Sequence, residues 1–405
     1  MVKPWDTATI GDFLDFKNGL NKGKEFFGYG TPIVNYTDVY RKRGLTKSDV
    51  RGKVNLTRDE IHRFDARKND VFFTRTSETP EEVGMSSVLL DDIDDCVFSG
   101  FVLRGRPKND MFVPEYCKYC FTTEAIRSAI IMGCTYTTRA LTNGTQLSAI
   151  EIVVPPKPEQ EAIAKSLTEI DDLISSLEKL ITKKKAIKQG AMQELLTGKK
   201  RLPGFSGDWI KSNIGSCIIE KPSYGINAPA VDFNGFLPRY IRITDISKDG
   251  RYCKDAQASV SAENVEPFLL KTNDIVLART GASVGKSYIY DEHDGRLVYA
   301  GFLIKMSIDP QKADSRFVFG VLHTYDYWKW VAQTSMRSGQ PGINGEEYAS
   351  YEFRMPSDLK EQKAIADILT NMDNEIVTLG KKLIKYRQVK QGMMQQLLTG
   401  KIRLV

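Results

Sequence analysis

The chain has 405 residues, 41% hydrophobic and 27% charged, with 57 Lys and Arg against 51 Asp and Glu for a net charge of +6. That length suits two or three domains, each able to bury a core, and the composition is that of a globular protein rather than a disordered or fibrous one. No apolar run approaches the roughly 18 residues that span a bilayer, and the opening MVKPWDTATIGDFLDF lacks the apolar stretch of a signal peptide, so a cytoplasmic protein without membrane contact is expected.

The first 157 residues read as an α+β region. Strand signals, β-branched and aromatic runs bounded by Gly, Asn, Asp and Pro, include VNYTDV at 34–39, NDVFFTRT at 69–76 and VFSGFVLR at 97–104. A short helix is expected around 114–131. Pro155 and Pro156 then mark a hinge into EQEAIAKSLTEIDDLISSLEKLITKKKAIKQGAMQELLTGKKRL at 159–202, which reads as one long helix. Its apolar residues Ile163, Leu167, Ile170, Ile174, Leu177 and Ile181 advance by alternating steps of four and three, the seam of a coiled coil. Pro158 fits the first helical turn and Gly198 a C-terminal cap. LPGFSGDW at 202–209 reads as a linker.

The plan then starts again. Trp209 with Ile214 and Gly215 matches Trp5 with Ile10 and Gly11, and IRITDI (241–246), NDIVLART (273–280), VYAGFLIK (298–305) and GING (342–345, against LTNG at 141–144) match the earlier blocks. A short helix is expected around 315–334, and Pro356 marks the second hinge. The stretch 361–404 repeats 159–202 without a gap, with 24 of 44 positions identical. Its seam is Ile365, Leu369, Met372, Ile376, Leu379 and Leu383, and Gly400 takes the place of Gly198. A period this long means two domains on a common plan, not a solenoid of short repeats. Each helix spans about 57 Å at about 1.5 Å per residue and would expose an apolar stripe if alone. Pairing of the two is the economical solution, and an antiparallel pair would set the globular regions at opposite ends of a rod. The expected fold is α+β: two globular α/β regions joined by two long antiparallel coiled-coil helices, a pseudo-two-fold internal repeat, with boundaries at 1–157, 158–202, 203–357 and 358–405.

Catalytic constellations are absent from the sequence: no GxSxG, no HExxH, no glycine-rich cofactor loop after a strand. GASVGKS at 281–287 has three residues between its first Gly and the Gly-Lys pair where a P-loop needs four. A loop carrying Arg279, Ser283 and Lys286 suits a nucleic-acid phosphate, the alternative being a solvated β-turn. Glu361 and Lys363 mimic the end of a nuclease motif, but they open the repeat helix and read as charge placement at its N-terminus. Cys117 and Cys120 form a lone CxxC among Cys96, Cys134, Cys217 and Cys253, and His62, His293 and His323 lie far apart, so reduced thiols and no metal site are expected. The basic runs late in each helix (Lys183, Lys184, Lys185; Lys381, Lys382, Lys385) are either a solvated face or a contact for DNA or an acidic partner. Candidate DNA-binding residues are Tyr36, Arg41 and Arg43 in YTDVYRKR, Arg75, Arg139, Asn143, Arg239, Arg242, Arg279, Ser283, Lys286, Arg337, Gln340 and Asn344. Arg matches guanine edges, and Asn or Gln matches adenine. Singly, such residues are ordinary surface chemistry; their recurrence at corresponding places in both halves suggests recognition.

The two EQxAIA helix starts and the two LLTGKxRL ends, at this spacing, resemble the specificity subunit of a type I restriction-modification system over essentially the whole chain. ARTGASVGK is also typical of that family's target recognition domains; TRTSETPEEVGMS in the first half departs from it, leaving no lysine there. The resemblance implies a non-catalytic subunit whose two recognition domains each read one half of a split double-stranded DNA target, with the helices setting the spacer. It also implies partners: two modification subunits that methylate adenine with S-adenosylmethionine, and up to two restriction subunits with ATP and Mg2+, so no cofactor in this chain. A variant with four residues inserted before Thr197 should methylate a different spacing. A scaffold protein without DNA specificity, and the recognition subunit of a system with fused methyltransferase and nuclease, are the competing readings.

Overall fold

The computed structural model describes residues 4–136, 138–336 and 339–404. The chain divides into two compact units, Met1–Glu178 with Lys381–Val405, and Lys179–Gly380. Each unit thus combines one α+β body with the start of one long helix and the end of the other. The helices themselves run over Lys157–Leu195 and Leu359–Leu397, called the central and distal helices below.

In the first unit a five-stranded sheet has the order Leu14–Asn18, Val102–Pro107, Val71–Thr74, Ser86–Leu89, Gly44–Leu45. The second unit repeats four of these strands as Ser223–Tyr224, Leu303–Ser307, Asp274–Ala278 and Ser287–Ile289. The parallel contact of Phe27–Val34 on Val97–Phe98 returns as Arg239–Ile241 on Leu297–Tyr299. Asp6–Thr9 against Glu151–Val154 returns as Trp209–Asn213 against Glu352–Pro356. Even the backbone exceptions correspond: Asn69 and Asn273 enter the central strands at φ 72° and 74°, left-handed values that Asn tolerates better than other side chains.

Two expectations change in the structure. VNYTDV is strand only as far as Val34; Asn35 and Asp38 then close a capping box that starts the helix Tyr36–Arg41. IRITDI leaves its strand after Ile241 for a 3-10 turn over Ile243–Asp245. In both, an Asp carboxylate reaching back to a backbone N–H outcompetes the alternating pattern. The two short helices are each broken in two, into Pro114–Cys117 and Glu124–Gly133, and into Ser315–Val321 and Tyr325–Thr334, with Thr123 and Thr324 capping the second pieces.

The identical helix ends share one stereochemistry. Gly198 and Gly400 adopt φ 72° and 70°, and the N–H groups of Lys200 and Ile402 reach back six residues to the carbonyls of Glu194 and Gln396 at 3.1 and 3.2 Å, a closure of the helix end over a left-handed residue, the conformation glycine adopts without steric cost. A Cβ on these glycines would meet Trp209 at 3.0 Å and Trp5 at 3.2 Å. Three residues on, Arg201 grips the buried Glu361 with two hydrogen bonds of 2.6 and 2.7 Å and lies over Trp209. Arg403 likewise pairs with the buried Glu159 and lies over Trp5. Glu361 thus sits in the first turn of the distal helix, as its reading as charge placement expects, and is in addition the buried partner of a helix-end arginine. The adjacent glutamines lock the helix starts to the sheets. The Gln362 amide accepts from Asp314 N–H (3.0 Å) and donates to Pro356 O (2.8 Å). That of Gln160 accepts from Val113 N–H (2.9 Å) and donates to Met111 O and Pro155 O (2.9 and 2.8 Å).

Within each unit the two helix segments run antiparallel. Asp171 pairs with Lys390 and Glu178 with Arg387 in the first, and Lys184 pairs with Glu375 and Lys188 with Asp373 in the second. The seam residues divide by depth. Ile163 and Leu167 join the first core together with Leu397 and Leu398, and Ile365 and Leu369 join the second with Met192, Leu195 and Leu196. Ile170 and Leu177 are also buried, whereas Ile174, Ile181, Met372, Ile376, Leu379 and Leu383 are half-buried. Among the described residues no helix is long and apolar enough to cross a membrane.

Candidate nucleic-acid interface

The first unit gathers several predicted residues on one polar surface. Tyr36 stacks on Tyr40 with ring centroids 5.8 Å apart. The Tyr40 hydroxyl donates to Glu82 at 2.7 Å, and the other Glu82 oxygen accepts from Ser77 at 2.9 Å. The hydrogen bond to Glu82 raises the Tyr40 pKa and lowers that of Glu82. Thr76–Ser77 pairs with Ala140–Leu141, which places exposed Arg139 at the end of the same ladder. Thr142 N–H donates to Arg75 O at 3.0 Å, and Asn143 follows, its side chain capping the helix Gly144–Ser148. Arg41 is exposed at the end of the Tyr36–Arg41 helix. Arg43 departs from the group. It points to Thr122 and to the Met394 sulfur on the distal helix, and burial lowers its pKa. It ties the body to a helix and is withdrawn from the candidate interface.

In the second unit Arg279 lies over the Tyr224 ring at 4.9 Å. Its carbonyl accepts from Ile343 N–H at 2.9 Å, and Asn344 caps Gly345–Ala349, mirroring Asn143. Gln340 is exposed and sits over Gly281, where a Cβ would come within 2.9 Å of its amide nitrogen. Tyr224, Arg279, Gln340 and Asn344 therefore form a second polar and aromatic surface, with Ser283 half-buried in the adjoining turn.

The other candidates are spent inside the fold. Arg242 makes a bidentate pair with Asp245 at 2.8 and 2.9 Å and donates to Ala256 O; the hydrogen bonds it donates to Asp245 raise its pKa. Arg239 donates to Asp294 O and lies over Phe233. Lys286 donates to Ile246 O at 3.2 Å. The loop around Lys286 is no phosphate cradle either. The N–H groups of Gly281, Val284, Gly285 and Lys286 are bonded to Pro341, Gly281, Ala278 and Ser283. Arg337 lies outside the described residues. Residues passed over singly in the sequence are the exposed Tyr40, Tyr136 and Tyr224 and the exposed pair Phe101 and Phe302. Only the Gly-Phe dipeptide shared by VFSGFVLR and VYAGFLIK marked the last two, and in sequence it is indistinguishable from core.

Two units on one plan, each with an aromatic and polar surface of its own and each completed by paired helix segments, define a duplicated recognition protein. The chain belongs to the family described as the type I restriction modification DNA specificity domain, which matches residues 2–189 and again 208–386; it is a specificity subunit of that kind. It is 26% identical to the type I restriction enzyme MjaVIII specificity subunit of Methanocaldococcus jannaschii, over 99% of this chain and 93% of that protein. Among solved structures, the type I restriction-modification S subunit from M. genitalium superposes with a TM-score of 0.60 at 14% identity, covering 97% of this chain and 96% of the other. A chain from a structure titled for complex assembly and conformational transition of the type I R-M system gives 0.56 at 14% identity, covering 98% of both.

Proposed function

We propose that this chain supplies the DNA specificity of a type I restriction-modification complex without performing catalysis itself. Residues 1–157 and 203–357 each read one half of a bipartite duplex target, and the helices at 158–202 and 358–405 set the spacer and dock the modification subunits. The observation that carries this reading is the repeated site. Arg75 with Asn143 and Arg279 with Asn344 occupy the same places in the two units, while the side chains around them differ. Two similar frames with different polar surroundings suit two different half-sites, since positioning contacts and base contacts are separable. On the central helix Leu173, Leu180 and Ile187 recur every seven residues and remain exposed, the periodicity on which a partner helix packs. S-adenosylmethionine, ATP and Mg2+ then belong to the partner subunits, two for modification and up to two for restriction, acting on cytoplasmic DNA. Co-expression with the neighbouring methyltransferase, followed by genome-wide mapping of N6-methyladenine, tests this. One bipartite motif with a fixed gap, lost when this chain is omitted, is the expected result. A stable complex with an active methyltransferase but no new motif would leave a scaffold.

A further inference from the structure

We propose that a set of three residues carried on the same backbone frame in both units, Asn21, Arg75 and Phe101 in the first and Asn227, Arg279 and Phe302 in the second, grips duplex DNA without regard to sequence, while the differing side chains around it choose the bases. This rests on the reading above and divides its interface into two classes of contact.

The construction is the same twice. Val102 N–H closes a turn on Ser99 O at 3.0 Å, and Leu303 N–H closes one on Ala300 O at 2.8 Å. Each turn is pinned from one side, Gly100 N–H to Leu20 O at 2.7 Å and Gly301 N–H to Ile226 O at 2.8 Å. Each is pinned from the other side by the arginine backbone, Arg75 N–H to Phe101 O at 2.9 Å and Arg279 N–H to Phe302 O at 3.0 Å. Gly100 is needed for this approach, because a Cβ there would come 2.9 Å from Leu20 O and 3.0 Å from Asn21 Oδ1, whereas at Gly301 the nearest atom would be Ile226 O at 3.4 Å, an ordinary contact. The result is a rigid turn whose phenylalanine stands 54% exposed in one unit and 57% in the other, beside an exposed asparagine. Arg75 Nη1 donates to Gly100 O at 3.4 Å while its Nε is buried with no hydrogen-bond partner among the described residues, and Arg279 lies over Tyr224 instead.

An exposed phenylalanine on a fixed backbone forgoes the burial that would make it stabilising, and the fold does this twice at one position. A feature common to two surfaces that read different half-sites must contact what the half-sites share: the phosphates and the stacked, groove-lined shape of the duplex. Arginine and asparagine suit phosphate and sugar oxygens, and an apolar ring held rigidly beside them suits insertion at a base step. Arg139 and Gln340 hold the same place in the repeat, two residues before LTNG and GING, but differ in chemistry, and Tyr40 and Tyr224 have no aromatic counterpart; these side chains remain for base choice.

The test uses the full chain in complex with its modification subunits, titrated with the cognate duplex and with duplexes altered in one half-site, at several salt concentrations. Phe101→Ala and Phe302→Ala should each weaken all duplexes by a common factor of about tenfold or more, with Phe→Trp restoring binding. Arg75→Gln and Arg279→Gln should weaken all duplexes alike and flatten the dependence of log K on log salt by about 1. Gln340→Ala and Arg139→Ala should instead change the ratio between cognate and altered duplexes. Alanine variants that bind as tightly as the parent, or that lose discrimination at a single half-site, would overturn the proposal. A parent complex without any preference for a cognate duplex would overturn the functional reading itself, a distinguishable result. Retained co-purification of the modification subunits shows that each variant is folded.

Discussion

Replacing Gln362 with methionine keeps shape and volume but removes both ends of an amide that joins the distal helix to its sheet. The loss strands Asp314 N–H and Pro356 O, previously bonded at 3.0 and 2.8 Å. A buried polar group left unpaired costs about 1–3 kcal/mol, and the Asp314 end is only partly buried, so about 2–4 kcal/mol is expected. Gln160→Met strands three groups, Val113 N–H, Met111 O and Pro155 O, and should cost more, about 3–6 kcal/mol. Domain stabilities run at about 5–15 kcal/mol, so either change is a large fraction. Urea unfolding followed by circular dichroism measures the shift in midpoint, with the slope unchanged if only stability moves. Gln362→Glu adds a directional check. At neutral pH it sets a carboxylate against Pro356 O and destabilises further; on acidification the protonated acid regains a donor and part of the loss. Gln362→Met within about 0.5 kcal/mol of the parent, the range of an inert surface change, would refute the lock.

Acid should loosen the first unit at the end of the distal helix. Burial pushes the Glu159 carboxyl up, but hydrogen bonds from Arg403 and Trp5 outweigh it and hold the folded pKa below its ordinary value. Its contribution is therefore complete above the unfolded value near about 4.3 and is lost as pH falls through the folded one. Arg403→Gln should abolish that dependence in an acid titration of stability, and a parent and variant with parallel acid profiles would contradict it. Alkylation should sort the thiols. Burial raises Cys96 to about 12, and Cys117, Cys120 and Cys217 are buried, whereas Cys134 and Cys253 are half-buried. Iodoacetamide at pH 8 should label Cys134 and Cys253 first, as peptide mapping reads directly; early labelling of Cys96 would contradict its burial.

The helices were legible in the sequence because a/d spacing and glycine caps are local signals. The strand blocks were legible because the repeat let each be read twice. The arginines were not. Arg43, Arg239 and Arg242 resemble Arg139 in sequence, yet the first three are tied to Met394, Asp294 and Asp245. Whether a guanidinium faces solvent or a carbonyl far along the chain is set by tertiary contacts that no local pattern carries. Phe101 and Phe302 failed in the opposite direction, since β-branched and aromatic neighbours imply a core and only the turn geometry turns the ring outward. The role of the EQ pairs was hidden because their partners, Arg201 for Glu361 and Arg403 for Glu159, lie at the far end of the other helix repeat.

That exchange of helix ends makes a strong prediction about half of the molecule. The first core is completed by Leu397, Leu398 and Arg403 from the end of the distal helix. In the repeat these residues are matched by Leu195, Leu196 and Arg201, inside the identical LLTGKxRL sequence. A chain ending at Leu202 therefore lacks the segment that finishes its own body but carries a chemically equivalent one. Its own helix end cannot fold back, because a continuous helix of about 1.5 Å per residue carries it away from the core it would cap. Two such chains complete each other, each donating its Leu195, Leu196 and Arg201 to the partner's Glu159 and Trp5. Sedimentation should show a dimer for 1–202, and Arg201→Ala should shift it toward monomer and unfolded chain. A folded, stable monomer of 1–202 would show that the helix ends are dispensable to the cores, and the account of the repeated motif would fall with it.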